Sequence, residues 1–421
     1  MSTTGDRARA LLNEINGAGG CSHPIRLQGE TLNTATGELR QSTLKVPCKD
    51  RRAAVCPSCS RLYGADAWIL VATGLNGGKG VPEVVATHPR LFVTVTAPSF
   101  GAVHTRRSSS ARCHTRRVHE TCEHGVPRWC AAVHEAGSEP LGAPLCEACF
   151  DNRGAILWNA TSSQLWDRTM VRLRRQLAAS AGMTTTELGH VAQVHYLKVA
   201  ELQRRGLVHF HALLRADGAN GPENDPPTWL TLDRLETALR SVVRTTQVNG
   251  LDGTARCWGS QLDVSGLSNV EGDDRRIAAY LAKYATKTTD GSAAFARPFT
   301  SRREIERLQT PPHLRHLALT AWTLGGTKDL HALRLREHAH TFGYRGQLIT
   351  KSRRYSTTFS SLRGARVEFR AERSHEDPIE GSFNYEGRGY DDPDAARLAE
   401  MFFEMQEDLR RQARQSRRAD S

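Results

Sequence analysis

No stretch of about eighteen consecutive apolar residues occurs in this 421-residue chain, which excludes a membrane-spanning helix as the basis of its function. The opening residues, Met1 to Arg7, contain no apolar signal region, and the expected location is the cytoplasm. A Gly-x4-Gly-Lys-Ser/Thr phosphate loop is also missing. The nearest glycine-rich stretch, Gly74 to Gly80, has the wrong spacing, so no ATP-driven motor is expected and unwinding of a duplex would fall to a host helicase. Acidic residues are in deficit: 45 Asp+Glu stand against 57 Lys+Arg, a formal net charge of +12. Such an excess raises affinity for phosphate backbones without saying which nucleic acid is bound. The length allows two or three domains with cores of their own.

Cysteine, by contrast, is plentiful. Ten cysteines in a chain expected to be cytosolic are metal ligands more readily than disulfides, and nine of them fall between Cys21 and Cys149. Cys56-Pro-Ser-Cys59 and Cys146-Glu-Ala-Cys149 have the spacing that lets one turn grip a metal ion. Each pair needs a second half. Cys21 and Cys48 are expected to complete the first set, Cys122 and Cys130 the second, with His124 and His134 in reserve, giving two structural Zn²⁺ sites. Cys113 is unassigned, and Cys257 reads as an ordinary buried thiol. Redox dithiols are the main rival.

The run Arg205 to Arg215 contains His209-Phe210-His211. On a strand Val208, Phe210, Ala212 and Leu214 face one way, and the two imidazoles face the other, where they can hold one divalent metal. Arg204-Arg205-Gly206 reads as a three-residue hairpin loop with glycine where φ must be positive. That loop pairs Gln203 with Leu207, hence Glu201 with His209 and Val199 with His211. Glu201 becomes a third ligand on the same face, and one oxygen with two nitrogens suits Mg²⁺ or Mn²⁺. A one-residue slip would turn Glu201 away. Further on, Tyr280, Lys283, Tyr284 and Lys287 are spaced so that both phenols lie on one helix face beside two ammonium groups. This is equipment for phosphodiester attack: a phenolate nucleophile, with lysines to hold the phosphate. Core tyrosines and solvated lysines are the plainer reading of that run taken alone.

In this order the motifs resemble the HUH endonucleases, and within them the rolling-circle replication initiators of actinomycete plasmids and integrative elements. The resemblance is carried by Phe92 to Ser99, His209-Phe-His211 and Tyr280 to Lys287, with a further similar run from Phe342 to Ser356. It implies an enzyme that nicks one strand of single-stranded or hairpin origin DNA, keeps the 5′ end on a tyrosine, and leaves a 3′-hydroxyl primer for host replication proteins. Two tyrosines so spaced are similar to the variant in which the pair act alternately. HUH transposases and conjugative relaxases are the alternatives, although relaxases place the nucleophile before the histidines. A zinc-dependent DNA-binding regulator is the non-enzymatic one.

The expected organisation is a zinc-binding region at 1–88, a nuclease domain at 89–290 with a zinc-binding insertion at about 113–149, a basic DNA-contacting region at 291–374, and a closing segment at 375–421. The fold class is α+β: an antiparallel sheet with a first strand at 91–97 and helices on one face. Lys351, Arg353, Arg354 and Tyr355, with Trp322 and Tyr344 nearby, combine charge and aromatic rings as phosphate contact and base stacking would require. The final segment reads as an acidic linker, a helix from about Ala395 and a disordered basic tail.

Overall fold

The computed structural model describes residues 4–34, 36–106, 108, 110–114, 120–267, 273–286, 294–371 and 379–419. It divides into two compact units: Met1–Trp68 together with Thr358–Ser421, and Ile69–Thr357. The first unit begins with α1 (Thr4–Gly17), β1 (Ile25–Asn33) and β2 (Leu39–Val46), and α2 (Pro57–Asn76) starts in it and ends in the second. The second contains β3 (Arg90–Val95), α3 (Asn152–Ser180), α4 (Thr185–Val191), β4 (Ala192–Leu202), β5 (Val208–Gly218) and α5 (Leu232–Thr245). It continues through the short ribbon β6 (Gln247–Asn249) and β7 (Ala255–Cys257), then β8 (Leu262–Gly266), α6 (Asp273–Thr286), α7 (Arg302–Glu306), α8 (Pro312–Leu324) and β9 (Ile349–Lys351). The first unit is completed by α9 (Phe359–Ala371), β10 (Ile379–Arg388) and α10 (Pro393–Ala419).

Chain ends thus meet in one sheet, ordered β10-β1-β2 and antiparallel throughout. This corrects the expectation for 375–421: the acidic stretch contains a strand, and α10 runs on to Ala419 through the basic segment. The reason is that β10 is largely exposed, so its composition is that of a linker. Pairing of its backbone with β1, and not burial of its side chains, makes it a strand.

The sheet of the second unit has the order β8-β3-β5-β4-β9 and is antiparallel at every junction. Leu91, Val93, Val95, Phe210, Ala212 and Leu214 lie on one face and join the main core. There α3 supplies Trp158, Trp166, Met170 and Leu173, and α5 supplies Leu235 and Leu239. Asp151 caps α3 by accepting from the Gly154 amide at 2.7 Å, which satisfies one of the helix's orphan donors.

The opposite face bears Phe92, Thr94, Glu201, His209 and His211. It is covered by α6, so helices lie on both faces and not on one as expected. The cause is the stripe Ala278, Leu281 and Ala285, whose three- and four-residue steps give α6 a buried side of its own. Arg90, fully buried, reaches Asp274 in the first turn of α6 at 3.1 Å and fixes that end of the helix.

Candidate functional site

The β4–β5 hairpin carries the site. Gln203 donates its amide to the Leu207 carbonyl at 2.9 Å across a loop in which Gly206 has φ +75°. The register that follows pairs Glu201 with His209 and Val199 with His211. The two imidazole centroids are 4.6 Å apart, and Glu201 Oε2 lies 3.4 Å from His211 Nε2. Glu201 and His211 are buried.

Each imidazole is oriented through its other nitrogen. Thr94 Oγ1 is 3.1 Å from His211 Nδ1, and the Gln203 side-chain amide is 2.8 Å from His209 Nδ1. Such outer contacts fix ring orientation in metal-binding histidines, and the donor set of one carboxylate with two imidazoles fits a divalent cation such as Mg²⁺ or Mn²⁺. Among the described residues, however, these three do not close as tightly as the cysteine–histidine groups below, in which all ligand atoms lie within 4.8 Å of one another.

Helix α6 brings both phenols to the same place. The Tyr284 ring is 4.7 Å from that of His211, the Tyr280 ring 5.3 Å from it, and the two phenol rings are 4.7 Å apart. Phe92 braces Tyr280 edge-on at 5.9 Å. Burial pushes the Tyr280 phenol above its ordinary range, and the hydrogen bond with Tyr284 and the charges of Glu201 and Asp263 push the same way. Lys283 is exposed on this helix, whereas Lys287 lies outside the described residues.

The basic segment near β9 is divided by the structure. Arg353 and Arg354 are exposed and line, with Arg174, Gln193, His195 and Ser352, a cavity of about 400 Å³. Lys351 is half-buried, its Nζ donating to the Ser356 carbonyl at 2.7 Å, and burial lowers its pKa. Tyr355 is 1% exposed and cannot stack on a base: its ring packs 5.1 Å from the Arg215 guanidinium, and a Cβ on Gly74 would lie 2.1 Å from it. Arg215 is itself forked onto Asp217, so the aromatic ring serves a buried charge and not a nucleic acid. Tyr344 is likewise buried, with its hydroxyl donating to Gln347 O at 2.9 Å.

The cysteines form three groups that could hold zinc. Cys21, Cys48, Cys56 and Cys59 come together as one, with the sulfurs of Cys21 and Cys56 3.7 Å apart. Hydrogen bonds from Cys21, Cys48 and Cys59 pull the Cys56 thiol below its usual range, and the same contacts push the Cys21 and Cys59 thiols up. The second expected set is corrected. Cys122, Cys146 and Cys149 gather with His124, and Cys130 joins Cys113, His104 and His134 in a third group.

Backbone pairing explains the exchange. His114 and Cys130 bridge each other's amides and carbonyls, which carries Cys130 to Cys113. A tight turn in which Cys122 N donates to Val126 O at 2.8 Å folds His124 back over Cys122. Burial opposes ionisation of Cys122, yet the amides of Val126 and His124 and the nearby thiols bring it down to about 6. Sequence reasoning missed His104 altogether. The Cys130-x3-His134 spacing was the available signal for the third group. Cys257 is exposed and joins none of them.

An antiparallel sheet thus presents a carboxylate and two imidazoles beside a pair of helical tyrosines. Residues 7–404 match the family model described as RepSA, replication initiator protein of pSAM2, and the chain belongs to that replication initiator family. It is 38% identical over 383 residues to a replication initiator protein of Streptomyces ambofaciens, covering 88% of this chain and 80% of that one. No solved structure matches. No helix among the described residues is long and apolar enough to cross a membrane.

Proposed function

We propose that this initiator nicks one strand of origin DNA by tyrosine attack and primes rolling-circle replication. The reading rests on one observation above all: Tyr280 and Tyr284 both lie against His211, on the face that also presents Glu201 and His209. A phenol oxygen bonds to the scissile phosphorus, the P–O3′ bond breaks, and the 3′ oxygen departs as a hydroxyl after taking a proton. The protein keeps the 5′ end as a phosphotyrosine. Lys283 and Lys287 are assigned to neutralise the phosphate from their spacing after the two tyrosines. Glu201, His209 and His211 would hold a Mg²⁺ or Mn²⁺ ion, which when bound polarises the scissile phosphate.

Arg353 and Arg354, lining one cationic cavity, are assigned to the DNA backbone, and strand separation to a host helicase. The match to initiators favours this reading over transposase or relaxase chemistry. The test is incubation of a single-stranded origin oligonucleotide library with the full chain and Mn²⁺, looking for a covalent protein–DNA band. The band should appear with the wild type and vanish in His211→Ala while gel-shift binding persists. Nicking by His211→Ala would overturn the assignment of the metal, and absence of nicking on every strand would leave a zinc-dependent DNA-binding protein.

A further inference from the structure

The two cysteine–histidine groups of the insertion are interleaved along the chain. In order, His104 and Cys113 belong to one group, Cys122 and His124 to the other, Cys130 and His134 to the first again, and Cys146 and Cys149 to the second. Neither group can be closed by a local loop. Along the chain, each encloses half of the other's ligands.

Their ligand-to-ligand distances lie near the edges of a zinc tetrahedron. With Zn–S near 2.3 Å and Zn–N of about 2.0–2.1 Å, tetrahedral edges come to about 3.3 Å for N···N, 3.6 Å for N···S and 3.8 Å for S···S. In the first group His104 Nδ1 and His134 Nε2 are 3.1 Å apart, Cys113 Sγ is 3.8 Å from His104 Nδ1, and Cys130 Sγ is 3.6 Å from His134 Nε2. In the second, His124 Nδ1 lies 3.2 Å from Cys149 Sγ, 3.8 Å from Cys146 Sγ and 4.0 Å from Cys122 Sγ. In each group the four ligand atoms all lie within 4.8 Å of one another, as donors around one shared cation would.

The same segment grips the hairpin loop of the candidate site. Gly142 donates its amide to the carbonyl of the ligand His104 at 2.9 Å, and Arg204 donates to Ser138 O at 3.0 Å. Gly142 has φ +89°, and a Cβ there would meet the Arg204 carbonyl carbon at 2.6 Å, so the backbones touch without a side chain between them.

We propose that these two interleaved groups form a cross-braced module with two zinc ions, one of them at His104, Cys113, Cys130 and His134, and that the two ions are held or lost together and clamp the 203–207 loop. Binding at the new site displaces the thiol protons of Cys113 and Cys130, leaving two thiolates and two neutral imidazoles on Zn²⁺ and a centre without net charge. The separate Cys21, Cys48, Cys56 and Cys59 group loads on its own.

Metal analysis of the full chain tests this. Wild type should hold about three Zn²⁺ per chain on four-ligand logic. Cys56→Ser should retain about two, whereas Cys113→Ser and Cys149→Ser should each retain about one. A Cys113→Ser chain that loses a single ion overturns the coupling, and a wild type with about two ions that His134→Ala does not change overturns the new site. Because the variants can fail to fold, release of zinc from wild type to a chromogenic chelator gives an independent readout. Two ions should leave in one kinetic phase and the third in another; three separate phases refute the cross-brace. In the chelated chain the Gln203 and Gly206 amides should lose protection from hydrogen exchange, and unchanged protection refutes the clamp.

Discussion

Asn159 offers the sharpest test of how the fold holds its site. This α3 residue is 1% exposed. Its Nδ2 donates to the carbonyls of Gly206 at 2.8 Å and Phe342 at 2.9 Å, and its Oδ1 accepts from the Val208 amide at 3.0 Å. The side chain therefore ties the hairpin loop, the first residue of β5 and a distant segment to one helix. Asn159→Ala leaves an amide and two carbonyls buried without these partners. At a net ~1–1.5 kcal/mol per hydrogen bond, with a further penalty for unsatisfied buried groups, the loss should reach about 3–5 kcal/mol. Asn159→Asp keeps the acceptor for Val208 but sets a carboxylate against two carbonyl oxygens, and should cost at least as much. Because Val208 immediately precedes His209, a loosened start to β5 also weakens the register that keeps both imidazoles on one face. Urea unfolding followed by the fluorescence of Trp158 and Trp166, on the same helix, measures the first effect; Mn²⁺ affinity measures the second. A loss under about 1 kcal/mol for Asn159→Ala, with Mn²⁺ binding unchanged, would refute the argument.

Further tests address acidity, labour and surface. Burial holds the His195 imidazole down to about 4, although Asp217 opposes this, so the folded chain resists a proton that the unfolded chain takes up below the ordinary value of 6.5. Stability should therefore fall as pH drops from 6.5 towards 4, by up to about 3 kcal/mol from this group, and His195→Leu should flatten the midpoint-against-pH curve over that window. Tyr280→Phe and Tyr284→Phe should each retain part of the covalent capture of an origin oligonucleotide but fail at rejoining, and the double variant should do neither; full capture and rejoining by one single variant would leave a single catalytic phenol. Arg353→Ala should weaken DNA binding and lower the salt slope by about one without altering stability. Tyr355→Ala should instead cost about 3–5 kcal/mol in unfolding experiments, as a cavity beneath Arg215 demands.

The hairpin was legible because a three-residue loop leaves one pairing for Glu201 and His209, and strand alternation then decides the face. The four cysteines of the first candidate zinc group, Cys21, Cys48, Cys56 and Cys59, were legible as a set, whereas the two groups of the insertion were legible only in part. Spacing announces Cys146 with Cys149, but which distant half completes that set depends on backbone bridges such as His114 with Cys130, formed between segments that no periodicity relates. Tyr355 misled for a similar reason. A tyrosine beside two arginines reads as a surface, whereas the vacancy left by glycine at position 74 and the buried Arg215 draw it inside. Strand β10 was hidden by its exposure, since a strand that buries little carries no alternating pattern.

That strand gives synthesis of the chain a consequence. Strand β1 leaves the ribosome early, yet its neighbour β10 follows only after the whole of Ile69–Thr357 has been made, a delay of tens of seconds at roughly 5–20 residues per second. For that interval the Cys21, Cys48, Cys56 and Cys59 group is present without the strand and helix that complete its unit, including Tyr390, whose hydroxyl donates to Cys21 O at 2.6 Å. The unit Ile69–Thr357 can fold first, since the strands of its five-stranded sheet all lie within it. A chain broken off before residue 379 would then display an open β1 edge, a mark by which proteases and chaperones could separate unfinished initiators from finished ones before either reaches DNA.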